Sequence, residues 1–232
     1  MKLLALDTSS EGCSAALFVD GEVIEKFEVA PRGHTRLLMP MIRELLAEQG
    51  LKPDNLDALA FACGPGSFTG VRIATGVIQG LAWGLDLPVV SVSSLETVAL
   101  GAIEALQVSE GEGIAVAFDA RMSELYWGCF RNRSGLPELL GDEQVCPPSR
   151  VVLEPDIASW VGAGQGWVFR DGMPDDVSDR INSVDETLIP RASWVARLAA
   201  VKFSQGLAVS AEQAQPVYIR DEVSWKKLPG RE

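Results

Sequence analysis

Asp7 closes the apolar run Leu3-Leu4-Ala5-Leu6, and a carboxylate at the end of a buried strand can anchor a metal–phosphate. Asp119 closes a similar run, but Asp119-Ala120-Arg121 lacks the glycine pair that a second phosphate loop needs. Gly162-Ala163-Gly164-Gln165-Gly166 could bring bare backbone against a nucleotide. Asp7, Gly162 and Gly164 are therefore the nucleotide-binding candidates. Gly64-Pro65-Gly66-Ser67-Phe68-Thr69-Gly70 is the other conspicuous loop. A phosphate cradle of this kind uses consecutive backbone N–H groups and a following lysine. Pro65 removes one donor and no lysine follows, so the loop reads better as a tight strand-to-helix turn.

His34 is the single histidine, which excludes a two-histidine metal site. Cys13, Cys63, Cys129 and Cys146 form no CxxC pair and show no zinc spacing. The first three lie within or beside apolar stretches and read as small hydrophobes. No catalytic set assembles from these residues, so a chain without its own active site is expected. The net charge of −12 repels phosphate backbones at long range and disfavours unaided binding of nucleic acid. No apolar run approaches the roughly 20 residues that cross a bilayer. Asp7 interrupts the opening run too early for a signal peptide, and a cytoplasmic protein is expected.

The elements that position these residues are readable in the first half. Runs at 2–8, 12–19 and 22–29 predict a meander of three strands, with Asp20-Gly21 as a hairpin turn. Residues 35–49 carry Leu37, Leu38, Met41, Ile42, Leu45 and Leu46 on one broad helical face. Thr35 is the expected N-cap and Gly50 the expected stop, with Pro40 delaying or kinking the first turn. A strand at 56–62, a helix at 69–85, a strand at 88–92 and a helix at 94–107 follow. That order suits a ribonuclease-H-like half-domain in an α/β fold. Residues 114–130 repeat the plan of 3–19, which suggests two tandem halves, 1–106 and 107–232. Residues 132–190 give no clear pattern, and a helix at 193–205 ends at Gly206.

Within 71–85, Val71, Ala74, Ile78, Leu81 and Leu85 form one stripe, which should lie on the sheet. Gly76, Gly80 and Gly84 form another. Each interior helical glycine costs about 1 kcal/mol relative to alanine, and glycines in register let a second backbone approach closely. That backbone could belong to the same chain or to another molecule. The apolar face of 35–49 favours another molecule, because a two-layer domain does not easily cover both helices. The expected interface comprises Leu38, Met41, Ile42 and Leu45 with Thr69, Arg72, Ile73, Gly76, Gly80 and Trp83.

ALDTSS at 5–10, GHTRLLMPMI at 33–42, GPGSFTGVRIATG at 64–76 and PVYIRDEVSWKKLPG at 216–230 together resemble the TsaB (YeaZ) family. The resemblance implies an actin-like ATPase fold of two ribonuclease-H-like subdomains, the second degenerate. It also implies a role in placing threonylcarbamoyl on N6 of adenosine 37 in tRNAs that read codons beginning with A. In that family the catalytic subunit is a paralogue, TsaD, with a metal held partly by an HxxxH motif, and an ATPase, TsaE, joins the assembly. Here His34 stands at the first of those positions and Leu38 at the second, which cannot ligate. The resemblance thus implies an accessory subunit with no cofactor of its own. It would meet tRNA only through the complex, whose shared interface is the one place where ATP could bind. It would form a homodimer when the paralogue is absent. The rival expectation is a small-molecule kinase that uses Asp7.

Overall fold

A computed structural model describes residues 1–220. The strands β1 (Lys2–Asp7), β2 (Gly12–Val19) and β3 (Glu22–Val29) form the meander. Asp20 and Gly21 both take positive φ at its turn, as an Asp-Gly hairpin requires. Helix α1 (His34–Glu48), β4 (Ala58–Ala62), α2 (Phe68–Leu85), β5 (Val89–Val92) and α3 (Ser94–Ala105) complete the first half. The first sheet has the order β3-β2-β1-β4-β5, with β1 antiparallel to β2 and parallel to β4.

The second half repeats this plan. Strands β6 (Gly113–Arg121), β7 (Glu124–Arg133), β8 (Leu136–Cys146), β9 (Trp160–Ala163) and β10 (Ile181–Asp185) form a sheet of order β10-β9-β6-β7-β8. Position for position it has the connectivity of the first sheet: a three-strand meander, then two parallel strands added beside the first strand. Two such sheets in tandem make the actin-like fold. The helices are not duplicated with the strands. Where the first half has α1 and α2, the second has 3-10 turns at Pro148–Arg150 and Gln165–Gly172 and the short α4 (Asp175–Ser178). Among the described residues the last helix is α5 (Ala192–Ser204).

Alternation along each strand decides the layers. On β1, Leu4 and Leu6 face α1 and α2, whereas Leu3 and Ala5 face α5. On β6, Ile114 and Val116 meet α3, whereas Ala115 and Ala117 join Trp127, Trp160 and Trp167 on the outer side. The last helix of each half therefore packs on the other half's sheet. Gly101 of α3 permits this crossing, since a Cβ there would strike the Trp194 ring of α5.

The expected boundary at residue 107 needs correction. The second sheet begins there, but α5 packs on the first sheet and Ala214 lies in the core beneath α2. The first half is completed by residues from the end of the chain, so 107–232 is not a separate unit. Helix α1 begins at His34 with Gly33 as its N-cap, not Thr35. It runs unbroken past Pro40, whose position is exposed, so the lost backbone bond falls on the solvent side. Among the described residues no helix is long and apolar enough to cross a membrane. The basic tail Trp225-Lys226-Lys227 with Arg231 lies outside the described residues.

Candidate functional site: the outer face of helix α2

The GPGSFTG loop joins β4 to α2 as a turn packed against the end of β1. Gly64 has φ +106° and Ser67 caps the helix, its Oγ accepting from the Gly70 N–H at 3.3 Å. Ser67 N–H donates to the Ser9 carbonyl at 2.7 Å, and Thr8 Oγ1 donates to the Gly70 carbonyl at 2.6 Å. A Cβ at Gly66 would run into the Ser9 carbonyl, and one at Gly70 into that of Thr8. These glycines admit the backbone of Thr8 and Ser9 just past β1, so close packing within the chain accounts for them.

The nucleotide candidates do not form a cradle. Asp7 is fully buried, with Oδ1 accepting from the Ser9 N–H at 3.1 Å and from Ser9 Oγ at 2.6 Å. Its Oδ2 has no partner, and burial pushes its carboxyl up to about 6. A metal–phosphate anchor must reach its ligand, and Asp7 lies behind Ser9. Gly162 is buried, and a Cβ there would meet the Trp167 indole. At Gly164 (φ +95°) it would meet the Ala117 carbonyl. Both glycines accommodate the chain's own packing, which corrects their reading as nucleotide contacts. Between the two halves lies a cleft of about 640 Å³, lined by Ser9, Ser10, His34, Asp119, Arg121 and Arg220 among others. Arg121 pairs with Asp119 and Arg220 with Glu124. His34 Nε2 lies 3.0 Å from the Ser10 carbonyl. No group of three or more His, Cys, Asp or Glu side chains among the described residues could hold a metal. Cys63 and Cys129 are pushed up to about 12 by burial, so neither is a ready nucleophile.

The two expected interaction helices divide. On α1, Leu38, Met41, Ile42 and Leu45 are buried in the chain's own core against the first sheet. That corrects their assignment to an outward face. The first sheet covers them, and α1 turns Arg36, Pro40, Arg43 and Glu44 to solvent. On α2 the inward stripe is Val71, Ala74, Ile78 and Ala82, all buried. Gly76, Gly80 and Gly84 lie on the opposite side, and among the described residues nothing beyond the helix's own backbone comes within 4 Å of where a Cβ would stand. Trp83 is 71% exposed at one end of this face and Phe68 57% at the other. Thr69 and Arg72 are exposed between them, while Ile73 is half-buried against the core.

Sequence reasoning missed a second wall. The segment that leads to Arg220 runs beside α2: Val217 N–H donates to the Cys63 carbonyl at 2.8 Å, and Gln79 Nε2 to that of Ala214 at 2.9 Å. Tyr218, 47% exposed, lies against Phe68 with ring centroids 5.7 Å apart. Three hollows follow one another along α2 between it and this segment. Pro65, Phe68 and Val217 line the first, Thr75, Gly76 and Gln215 the second, and Gly80, Trp83 and Ala211 the third. Only the recurrence of PVYIR beside the glycine motif in the family resemblance could have pointed to this strip.

Comparisons with known proteins decide the family. A family model described as TsaD, tRNA N6-adenosine threonylcarbamoyltransferase, matches residues 26–219. The tRNA threonylcarbamoyladenosine biosynthesis protein TsaB of Haemophilus influenzae is 40% identical over 100% of this chain and 99% of that protein. TsaB of Escherichia coli is also 40% identical, over 100% of both. The chain belongs to the TsaB family. A solved structure titled YeaZ from Pseudomonas aeruginosa is 46% identical, with a TM-score of 0.88 over 94% of this chain and 99% of that one. The likeness to TsaB and YeaZ thus spans both sheets and the helices between them.

Proposed function

We propose that this TsaB-family chain is a non-catalytic subunit in threonylcarbamoyladenosine biosynthesis, which binds the catalytic paralogue TsaD and holds it active. The observation that carries the reading is the uncovered glycine face of α2. Three interior glycines with open space are unfavourable in an isolated helix, and they make sense where a second backbone lies against them. The exposed Trp83 and Phe68 supply the aromatic anchors that interfaces favour. The partner brings the metal chemistry and most of the contact with tRNA, in keeping with this chain's charge of −12. TsaE joins the same assembly, and the site of action is the cytoplasm. In the absence of the paralogue, the α2 face closes on a second copy of itself, as a self-complementary patch does about a two-fold axis.

The kinase reading fails on geometry. Asp7 hydrogen-bonds Ser9 and is closed off from the cleft, and the GPGSFTG turn is filled by Thr8 and Ser9. No step of the proposal runs through a nucleotide held by this chain. The test is formation of threonylcarbamoyladenosine on unmodified tRNA with purified TsaD and TsaE, ATP, threonine and bicarbonate, with this chain included or omitted. Product should appear only when the chain is present. Equal product without it would overturn the proposal.

A further inference from the structure

Arg72 is an unusual cation in this chain. Its guanidinium lies 3.7 Å above the Phe68 ring and 5.7 Å from the centroid of Tyr218, and its Nε–H donates to Tyr218 Oη at 2.8 Å. No carboxylate among the described residues is within ion-pair distance of it, although the chain carries 32 acidic residues against 20 basic ones. Two aromatic rings and one hydrogen bond fix the side chain, so little rotamer freedom remains to be lost on binding. Neither Nη group has a hydrogen-bond partner among the described residues, and a fixed guanidinium fork suits a carboxylate. Arg72 also stands where the apolar hollow of Pro65, Val71 and Val217 gives way to the polar hollow of Thr75, Gln79 and Gln215.

We infer that Arg72 is a docking cation for an Asp or Glu side chain of the protein that seats on the glycine face of α2, with an apolar neighbour of that carboxylate entering the hollow beside Phe68. This rests on the partner-subunit reading above and adds the chemistry of its contact. A protein carboxylate suits the site better than an RNA phosphate. The hollow beside the cation is apolar, and the surrounding chain is strongly acidic.

The test is the affinity of the full chain for purified TsaD at 50 and 500 mM salt, measured by calorimetry. Arg72→Met keeps the aliphatic stem and its packing and should weaken binding about 10- to 100-fold at low salt. It should also flatten the salt dependence shown by the unaltered chain. Tyr218→Phe, which frees Nε, should give a smaller loss in the same direction, and Arg72→Lys should recover only part. Unchanged affinity and salt dependence for Arg72→Met, while Gly80→Trp abolishes binding, overturns this inference and leaves the partner reading standing. Unchanged binding for both variants overturns the two together. If Asp221→Asn with Glu222→Gln reproduces the Arg72→Met effect, the carboxylate belongs to this chain and the inference falls. It falls equally if Arg72→Met weakens binding of tRNA but not of TsaD.

Discussion

The two halves share a strand order but not an outer layer. The first sheet keeps two long helices on its outer face, and one of them turns three glycines to solvent. The second sheet closes its outer face with 3-10 turns over Trp127, Trp160 and Trp167, with Trp127 Nε1 and Trp167 Nε1 donating to the Val152 and Ala115 carbonyls. A duplicated strand plan therefore supports two different tasks. The second half seals itself with large side chains, whereas the first leaves a shallow strip in which small residues admit another backbone. Helix α5 makes the halves interdependent, because it follows the second sheet and packs on the first.

The sharpest way to break this comparison is to charge the inner side of the first half's outer layer. Leu38→Asp puts a carboxylate into the apolar layer between α1 and the first sheet, which includes Ala15 and Leu17 of β2, and it should cost roughly 5 kcal/mol or more and unfold the chain. An account in which Leu38 faces a partner predicts a folded chain that no longer associates, and circular dichroism separates the two. Next comes the second half's seal. Trp167→Ala should cost about 3–5 kcal/mol in chemical denaturation while leaving the α2 face intact. A loss under about 1 kcal/mol would mean that the outer layer of the second sheet is not packed as described.

Asp7 tests the boundary between structure and chemistry. Burial raises its carboxyl to about 6 from an ordinary value of 3.8, so the folded state holds the proton more tightly than the unfolded chain. Its contribution is then most favourable below about pH 4 and is lost as pH rises through 6, a swing of up to ~3 kcal/mol. Asp7→Asn mimics the protonated form, so its stability relative to the native chain should improve from pH 4 to pH 7. Modification activity should be retained. A flat difference across that range would contradict the burial, and loss of activity in a folded variant would restore the anchor reading. The smallest effect sharpens the glycine argument. Gly84→Ala meets open space in a helical backbone and should stabilise the isolated chain by about 0.5–1 kcal/mol at concentrations low enough to keep it monomeric, while weakening association. A loss of stability in the isolated chain would mean that something already covers the glycines.

Much of the first half was legible because its signals are local. The Asp20-Gly21 turn, the apolar alternation of β1 and the inward stripe of α2 each follow from a period or a turn residue. Helix α1 shows the limit of that reasoning. Its periodicity says that Leu38, Met41, Ile42 and Leu45 are covered, but the same pattern arises whether a sheet or a partner covers them. Gly76, Gly80 and Gly84 were more informative, since a stripe without side chains has nothing to offer its own core. The glycine-rich turn at 162–166 misled for the opposite reason. Glycine marks close approach, and only the structure shows that Trp167 and Ala117 make that approach. Residues 132–190 resisted because β8 turns many positions to solvent and the following 3-10 turns carry no helical period.

The measurement that tests the account most directly is association of the full-length Gly80→Trp chain with TsaD by analytical ultracentrifugation, with circular dichroism alongside. An indole in the middle of the glycine face should abolish the complex at micromolar concentrations while the spectrum and thermal midpoint stay close to those of the unaltered chain. A folded Gly80→Trp chain that binds TsaD with unchanged affinity would contradict the assignment of α2 as the docking face.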